Sequence, residues 1–239
     1  MREKIIVALD VDTENEAMRL VESLANYTGA FKVGLQLYNN TGPGIIKKIV
    51  DAGAKVFLDL KFHDIPNTAA RAAEAVVGLG SFMFNVHASG GINMMKAVVQ
   101  ASHARAEKAG FLPPLLIGVT VLTSMSEQEL HDEVGASRSM QEQVVHLASL
   151  CQKAGLDGVV ASAREIPWIR RACGESFLIV TPGIRPAWAA TDDQTRIVTP
   201  KDALSAGADY LVIGRPLTAA ADPGDAARRL LAEIEEESA

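Results

Sequence analysis

At 239 residues, 48% hydrophobic and 22% charged, the chain has material for one large α/β domain with a substantial core. A formal net charge of −6 excludes a global basic field for nucleic acid or an anionic membrane, so an anionic ligand must be held by a few local cations. Cys151 and Cys173 fit no metal or redox spacing and suit a reducing cytoplasm, and the apolar run ending at Leu9 is too short for a signal peptide or a membrane span.

Short apolar runs alternate with longer amphipathic stretches from end to end. The pattern predicts strands over 4–9, 30–35, 56–61, 83–87, 115–120, 158–162, 177–181 and 210–214. Most are rich in Val, Ile and Leu without strict polar alternation, as parallel strands covered by helices should be. Helices are expected over 13–25, 44–52, 67–78, 91–108, 137–153, 163–173, 200–206 and 222–236. Thr13, with Glu16 three residues on, reads as a capping box, and Ser137 as another N-cap. Gly53, Gly155 and Gly207 each stand where a left-handed helix ending is needed before the next strand. Eight such βα units predict a single-domain (β/α)8 TIM barrel spanning residues 1–239. An open doubly wound sheet is disfavoured, because no Gly-x-Gly-x-x-Gly turn follows the first strand. The acidic end, 233–238, reads as a solvated helix terminus.

In barrels of this kind chemistry gathers at the carboxyl ends of the strands. Those ends carry Asp10, Lys32, Asp59, Lys61, Asp64, His87, Thr120 to Thr123, Ser162, Arg185, Gly214 and Arg215. The segment Asp59-Leu-Lys-Phe-His-Asp64 is the most telling. With a strand period of two, Phe57, Asp59 and Lys61 share one face, and charges facing a sheet interior are costly unless paired. Lys32 lies within an otherwise apolar strand, and Asp10 and Asp59 on neighbouring strands are its available partners. Carboxylates beside Lys61 favour its protonated form, which suits a general acid better than a Schiff-base nucleophile.

A second cluster, Thr181-Pro-Gly-Ile-Arg185 and Ile213-Gly-Arg215, falls where such barrels often bind phosphate: Gly214 permits close backbone approach and Arg215 offers a bidentate fork. The connection 184–195, containing Trp188, is long enough to be a lid. No His, Asp and Glu spacing matches a metal site, and His63 and His87 read as packed or hydrogen-bonded side chains.

With Asp59-x-Lys61-x-x-Asp64-Ile-Pro-Asn-Thr68 in place, the chain resembles the bacterial-type orotidine 5′-phosphate decarboxylase family. Ala8-Leu-Asp10, Lys32-Val-Gly34, Asn85-Val-His-Ala88, Val119-Thr-Val-Leu-Thr-Ser124, Thr181-Pro-Gly-Ile-Arg185, Asp193-Gln194 and Ile213-Gly-Arg215 extend the resemblance over nearly the whole length. The resemblance implies a cofactor-free, metal-free carboxy-lyase acting on orotidine monophosphate in the last step of UMP synthesis. It implies a homodimer with shared sites, in which Asp64 and the stretch to Thr68 reach into the partner. Lys61 would then protonate C6 of the pyrimidine within a network of Lys32, Asp59 and the partner's Asp64. Asp59 would lie near the substrate carboxylate, and Asp10 and Lys32 would hold the ribose. Arg185, Gln194, Gly214 and Arg215 would take the phosphate, Thr123 would touch substrate, and either Ser124 or Ser126 would meet the pyrimidine amide. Magnesium-dependent sister enzymes on the same scaffold carry an acidic residue where this chain has Lys32.

Overall fold

Runs such as Ile5-Ile-Val-Ala8 and Leu211-Val-Ile213 are too apolar to leave either face in water, and the solution adopted is closure. In the computed structural model, which describes residues 1–189 and 198–235, eight parallel strands form a closed barrel in sequence order. They are β1 (Ile5–Ala8), β2 (Ala30–Gly34), β3 (Val56–Phe62), β4 (Met83–His87), β5 (Leu115–Val119), β6 (Gly158–Val160), β7 (Leu178–Thr181) and β8 (Tyr210–Ile213). Closure comes from β1, which pairs Ile6 with Ala30 on one side and with Val212 on the other.

Around the strands lie α1 (Glu14–Leu24), α2 (Leu35–Thr41), α3 (Gly44–Asp51), α4 (Pro66–Gly78), α5 (Gly91–Ala109) and α6 (Glu127–Asp132). The ring continues with α7 (Met140–Ala154), α8 (Ile166–Cys173), α9 (Pro200–Ser205), α10 (Arg215–Thr218) and α11 (Pro223–Glu235). Inside the barrel, Ile6, Ala8, Ala30, Phe57, Met83, Ile117, Val180 and Val212 pack into one cluster, so the centre is filled and not a pore. The alternate strand residues face outward and join the helices in the larger core. No helix among the described residues is long and apolar enough to cross a membrane.

Every expected strand is present to within a residue or two, and the capping box of Thr13 and Glu16 forms. Gly155 ends α7 in the left-handed conformation, and Gly53 and Gly207 also have positive φ. The departures are local. Ser139, not Ser137, caps α7, because it is Ser139 that finds Glu142 three residues on. The helix expected over 163–173 opens as a 3-10 turn, Ala163–Glu165, with proline at the start of α8. Helices α2, α6 and α10 have no counterpart in the sequence pattern: each buries a single residue (Leu37, Leu130 and Leu217), too little to print an amphipathic period.

The amino-terminal rim is tied by side chains that bind backbone. Asp157 accepts from the Leu116 N–H (2.7 Å) and Asp209 from the Ile179 N–H (2.8 Å), each just ahead of its own strand. Arg170 on α8 pairs with Asp209 (2.7 Å) and donates to the carbonyls of Gly207 (2.6 Å) and Phe177 (2.6 Å). These links fix the frame whose opposite end holds the charged groups.

Candidate active site

Four charged side chains from three neighbouring strand ends form a line of alternating sign. The Lys32 ammonium stands 3.0 Å from Asp10 Oδ1 and 3.6 Å from Asp59 Oδ2, and Lys61 Nζ lies 2.7 Å from Asp59 Oδ1. Register explains the meeting: Ala8 pairs with Lys32, and Gly34 with Asp59, so parallel neighbours deliver these residues to one rim. Lys32 and Asp59 are largely withdrawn from water, their side chains 12% and 14% exposed, whereas Asp10 is 54% exposed. Burial by itself would raise the Asp59 carboxyl. Lys32 and Lys61, with hydrogen bonds from Lys61 and Asn85, outweigh it and hold Asp59 below the usual carboxylate range.

The end of β3 is not an ordinary strand. Leu58 pairs with Phe84 and Phe62 with Val86, so β3 advances four residues while β4 advances two. Within this bulge Lys61 has φ of +52°, the left-handed region that a side chain bearing Cβ adopts at a cost. Phe57, Asp59 and Lys61 nevertheless all line the same cavity of ≈ 240 Å³, together with Lys32, Thr123, Ser124 and Val212. These three side chains therefore share one face, as a strand period of two implies, although the backbone between them is not a regular strand. Asn85 on β4 belongs to the same group, though the strand-end pattern does not single it out. Only 1% exposed, it accepts from the Lys61 N–H (2.8 Å) and donates to Asp59 Oδ1 (2.7 Å). A buried amide midway along an apolar strand, Met-Phe-Asn-Val-His, was the signal available.

The remaining expected residues divide. Gly214 caps α10 beside β1, where a methyl group would sit 3.6 Å from Ala8 Cβ and 3.8 Å from Asp10 Oδ2, so the second cluster adjoins the first. Arg215 opens α10 on the surface, and Arg185, 4% exposed, is carried on a segment that bridges Ile184 to Val198. Gln194 lies outside the described residues. Thr123 and Ser124 face the cavity, whereas the Ser126 hydroxyl caps α6 by accepting from the Glu129 N–H. Asp64 does not meet Lys61 within one chain. Its carboxylate accepts from the Ile65 N–H (2.6 Å), and residues 63–68, Thr68 included, are all exposed. His63 and His87 face each other with ring centroids 5.6 Å apart, and burial, then His63 and Lys61, push the His87 imidazole below its usual value. Of the expected lid, the described part leans on α11: Trp188 lies under the Arg229 guanidinium (4.4 Å), and the Ala187 N–H donates to Glu233.

The family model described as Orotidine 5′-phosphate decarboxylase / HUMPS family matches residues 3–230. The chain belongs to that family. A curated relative from Syntrophomonas wolfei subsp. wolfei, named orotidine 5′-phosphate decarboxylase, is 51% identical over 98% of this chain and 99% of its own length. One of the same name from Moorella thermoacetica is 53% identical over 98% of this chain and 93% of its own. Among solved structures, orotidine 5′-phosphate decarboxylase from Lactobacillus acidophilus superimposes with a TM-score of 0.86 at 40% identity, covering 97% of this chain and 98% of that one. Within this family the enzymes so named are carboxy-lyases, and this chain is an enzyme of that class.

Proposed function

We propose that the protein decarboxylates orotidine 5′-monophosphate to uridine 5′-monophosphate in the cytoplasm, without metal or cofactor, and that Lys61 delivers the proton to C6. The observation that carries the reading is the line Asp10, Lys32, Asp59, Lys61 at the mouth of the barrel. Loss of carbon dioxide from C6 leaves an sp² carbanion with no adjacent electron sink, so stabilisation must come from a fixed positive charge. An ammonium already held by Asp59 at 2.7 Å needs no reorganisation to meet that charge and then protonates it. Asp59 lies against Lys61 on the cavity wall and orients the ammonium; in this reading it also faces the carboxylate that leaves. Lys32 stands between Asp10 and Asp59 where a divalent cation would otherwise bridge two carboxylates, which favours the metal-free chemistry over a magnesium-dependent reaction.

In this reading Asp10 and Lys32 hold the ribose. Arg185, Gln194, Gly214 and Arg215 bind the phosphate, whose distant binding energy is used at the transition state. Thr123 and Ser124 contact substrate. The site is completed by a second copy of the chain: Asp64, Ile65 and Thr68 stand out in water, with Ile65 67% exposed, which suits a segment that covers a partner.

The test is ultraviolet absorbance of orotidine monophosphate on adding the protein in the presence of a chelator. Carbon dioxide release is expected, and Lys61→Ala lowers it by about 1,000-fold or more while uridine monophosphate still binds. Chelator-sensitive turnover, or near-normal turnover in Lys61→Ala, refutes the assignment.

A further inference from the structure

We infer that Asn85 is a positioning residue: its buried amide holds the left-handed backbone of Lys61 and the carboxylate of Asp59 in one fixed relation. The inference rests on the assignment of Lys61 and Asp59 to the reaction, and goes beyond it by naming what sets their geometry.

The bulge creates the need. Between its paired positions β3 runs four residues against two of β4, so the Lys61 N–H has no ladder carbonyl opposite it. Asn85 stands between Phe84 and Val86, the two β4 residues at those paired positions, and shares by alternation the inward face of Met83. Its Oδ1 replaces the absent carbonyl at 2.8 Å. Its Nδ2 donates to Asp59 Oδ1 at 2.7 Å, on the same oxygen that receives the Lys61 ammonium. The orientation of the amide is dictated by its partners, since a backbone N–H can only donate and an ionised carboxylate can only accept. One rigid group therefore connects the main chain of Lys61 to the anion that aims its side chain. No other natural side chain of this size offers one acceptor and one donor on a planar fork without charge. Aspartate does so only when protonated.

Two substitutions at Asn85 separate positioning from a general packing role. Asn85→Leu keeps the branched shape of the side chain, with bulkier methyl ends, and deletes both hydrogen bonds. It should lower kcat about 100-fold, the effect of a misplacement near 1 Å, with KM within about threefold of the parent. Because a donor to Asp59 is lost, its carboxyl rises and the acid limb of the pH–rate profile moves to higher pH. In Asn85→Asp the new carboxylate repels Asp59 at neutral pH, and on protonation it regains one donor and one acceptor. Its activity relative to the parent should therefore climb as the pH falls.

Amide hydrogen exchange at Lys61 gives a readout that needs no turnover: protection present in the parent should be lost in Asn85→Leu and kept in Asn85→Gln only if the longer amide reaches the same N–H. If the parent fails to decarboxylate orotidine monophosphate but this protection still depends on Asn85, the functional reading falls and the positioning role stands. A folded Asn85→Leu variant with parental kcat and acid limb, or one in which Lys61 keeps its protection, overturns the inference. So does an Asn85→Asp/parent activity ratio that does not change with pH.

Discussion

Replacing Lys61 by glycine and, separately, by alanine isolates the strain stored in the β3 bulge. Both variants lose the ammonium and its 2.7 Å pairing with Asp59, and both keep the main-chain N–H that donates to Asn85, so these effects cancel in the comparison. What remains is the Cβ of alanine at φ of +52°. A Cβ in the left-handed region costs about 1–2 kcal/mol. Against this, glycine loses more freedom on folding, which favours alanine by about 0.4–1 kcal/mol at unstrained positions. The balance leaves Lys61→Gly more stable than Lys61→Ala by about 0.8 kcal/mol, the reverse of the order at an ordinary strand position. Urea unfolding followed by circular dichroism measures the difference through the two midpoints, provided the slopes agree. Were alanine the more stable by about 0.5 kcal/mol or more at equal slope, the left-handed backbone and the strain argument would both be wrong.

Three further outcomes are expected. His87 is held below its ordinary value, so the unfolded chain takes up a proton first as the pH falls; this contribution is complete above about pH 6.5 and shrinks below it, and His87→Gln should lose less stability between pH 7.5 and 5.5 than the parent, as read from urea midpoints. A methyl group at Gly118 would lie 2.2 Å from Cys151 Sγ and 3.2 Å from Leu156 Cδ2, so Gly118→Ala should cost about 1–3 kcal/mol; Cys151→Ala opens that space, and a double-mutant cycle should show the pair less harmful than additivity by about 1 kcal/mol. Mixing inactive Lys61→Ala with inactive Asp64→Ala should restore about one quarter of parental activity, because in the proposed shared-site dimer half of randomly assorted pairs are hybrids with one intact site of two; no recovery, with exchange of subunits verified by mass spectrometry, would rule out the shared site.

Much of this architecture is legible in the sequence because parallel strands and their covering helices leave strong periodic signals. The strand-end rule then places Asp10, Lys32, Asp59 and Lys61 on one rim without further help. The illegible parts arise where side chains answer to irregular backbone. A period of two predicts the common face of Phe57, Asp59 and Lys61, but says nothing of the register slip that makes Lys61 left-handed. Asn85 gains meaning only when β4 is laid beside that slip. Ser124 and Ser126 are indistinguishable in a polar loop until a short helix, too small to show a pattern, claims the second as its cap. Asp64, adjacent in sequence to the charged line, is carried away from it by the turn into α4.

The ties at the amino-terminal rim have a consequence for how such a barrel changes over time. Asp157, Asp209 and Arg170 secure strands through main-chain atoms at the end remote from the cavity, and share no partner with Lys32, Asp59 or Lys61. Free energies at unconnected sites add, so losses incurred by remodelling the upper loops are not amplified below. Lineages and engineers alike can then trade one substrate preference for another while the lower girdle keeps the frame intact.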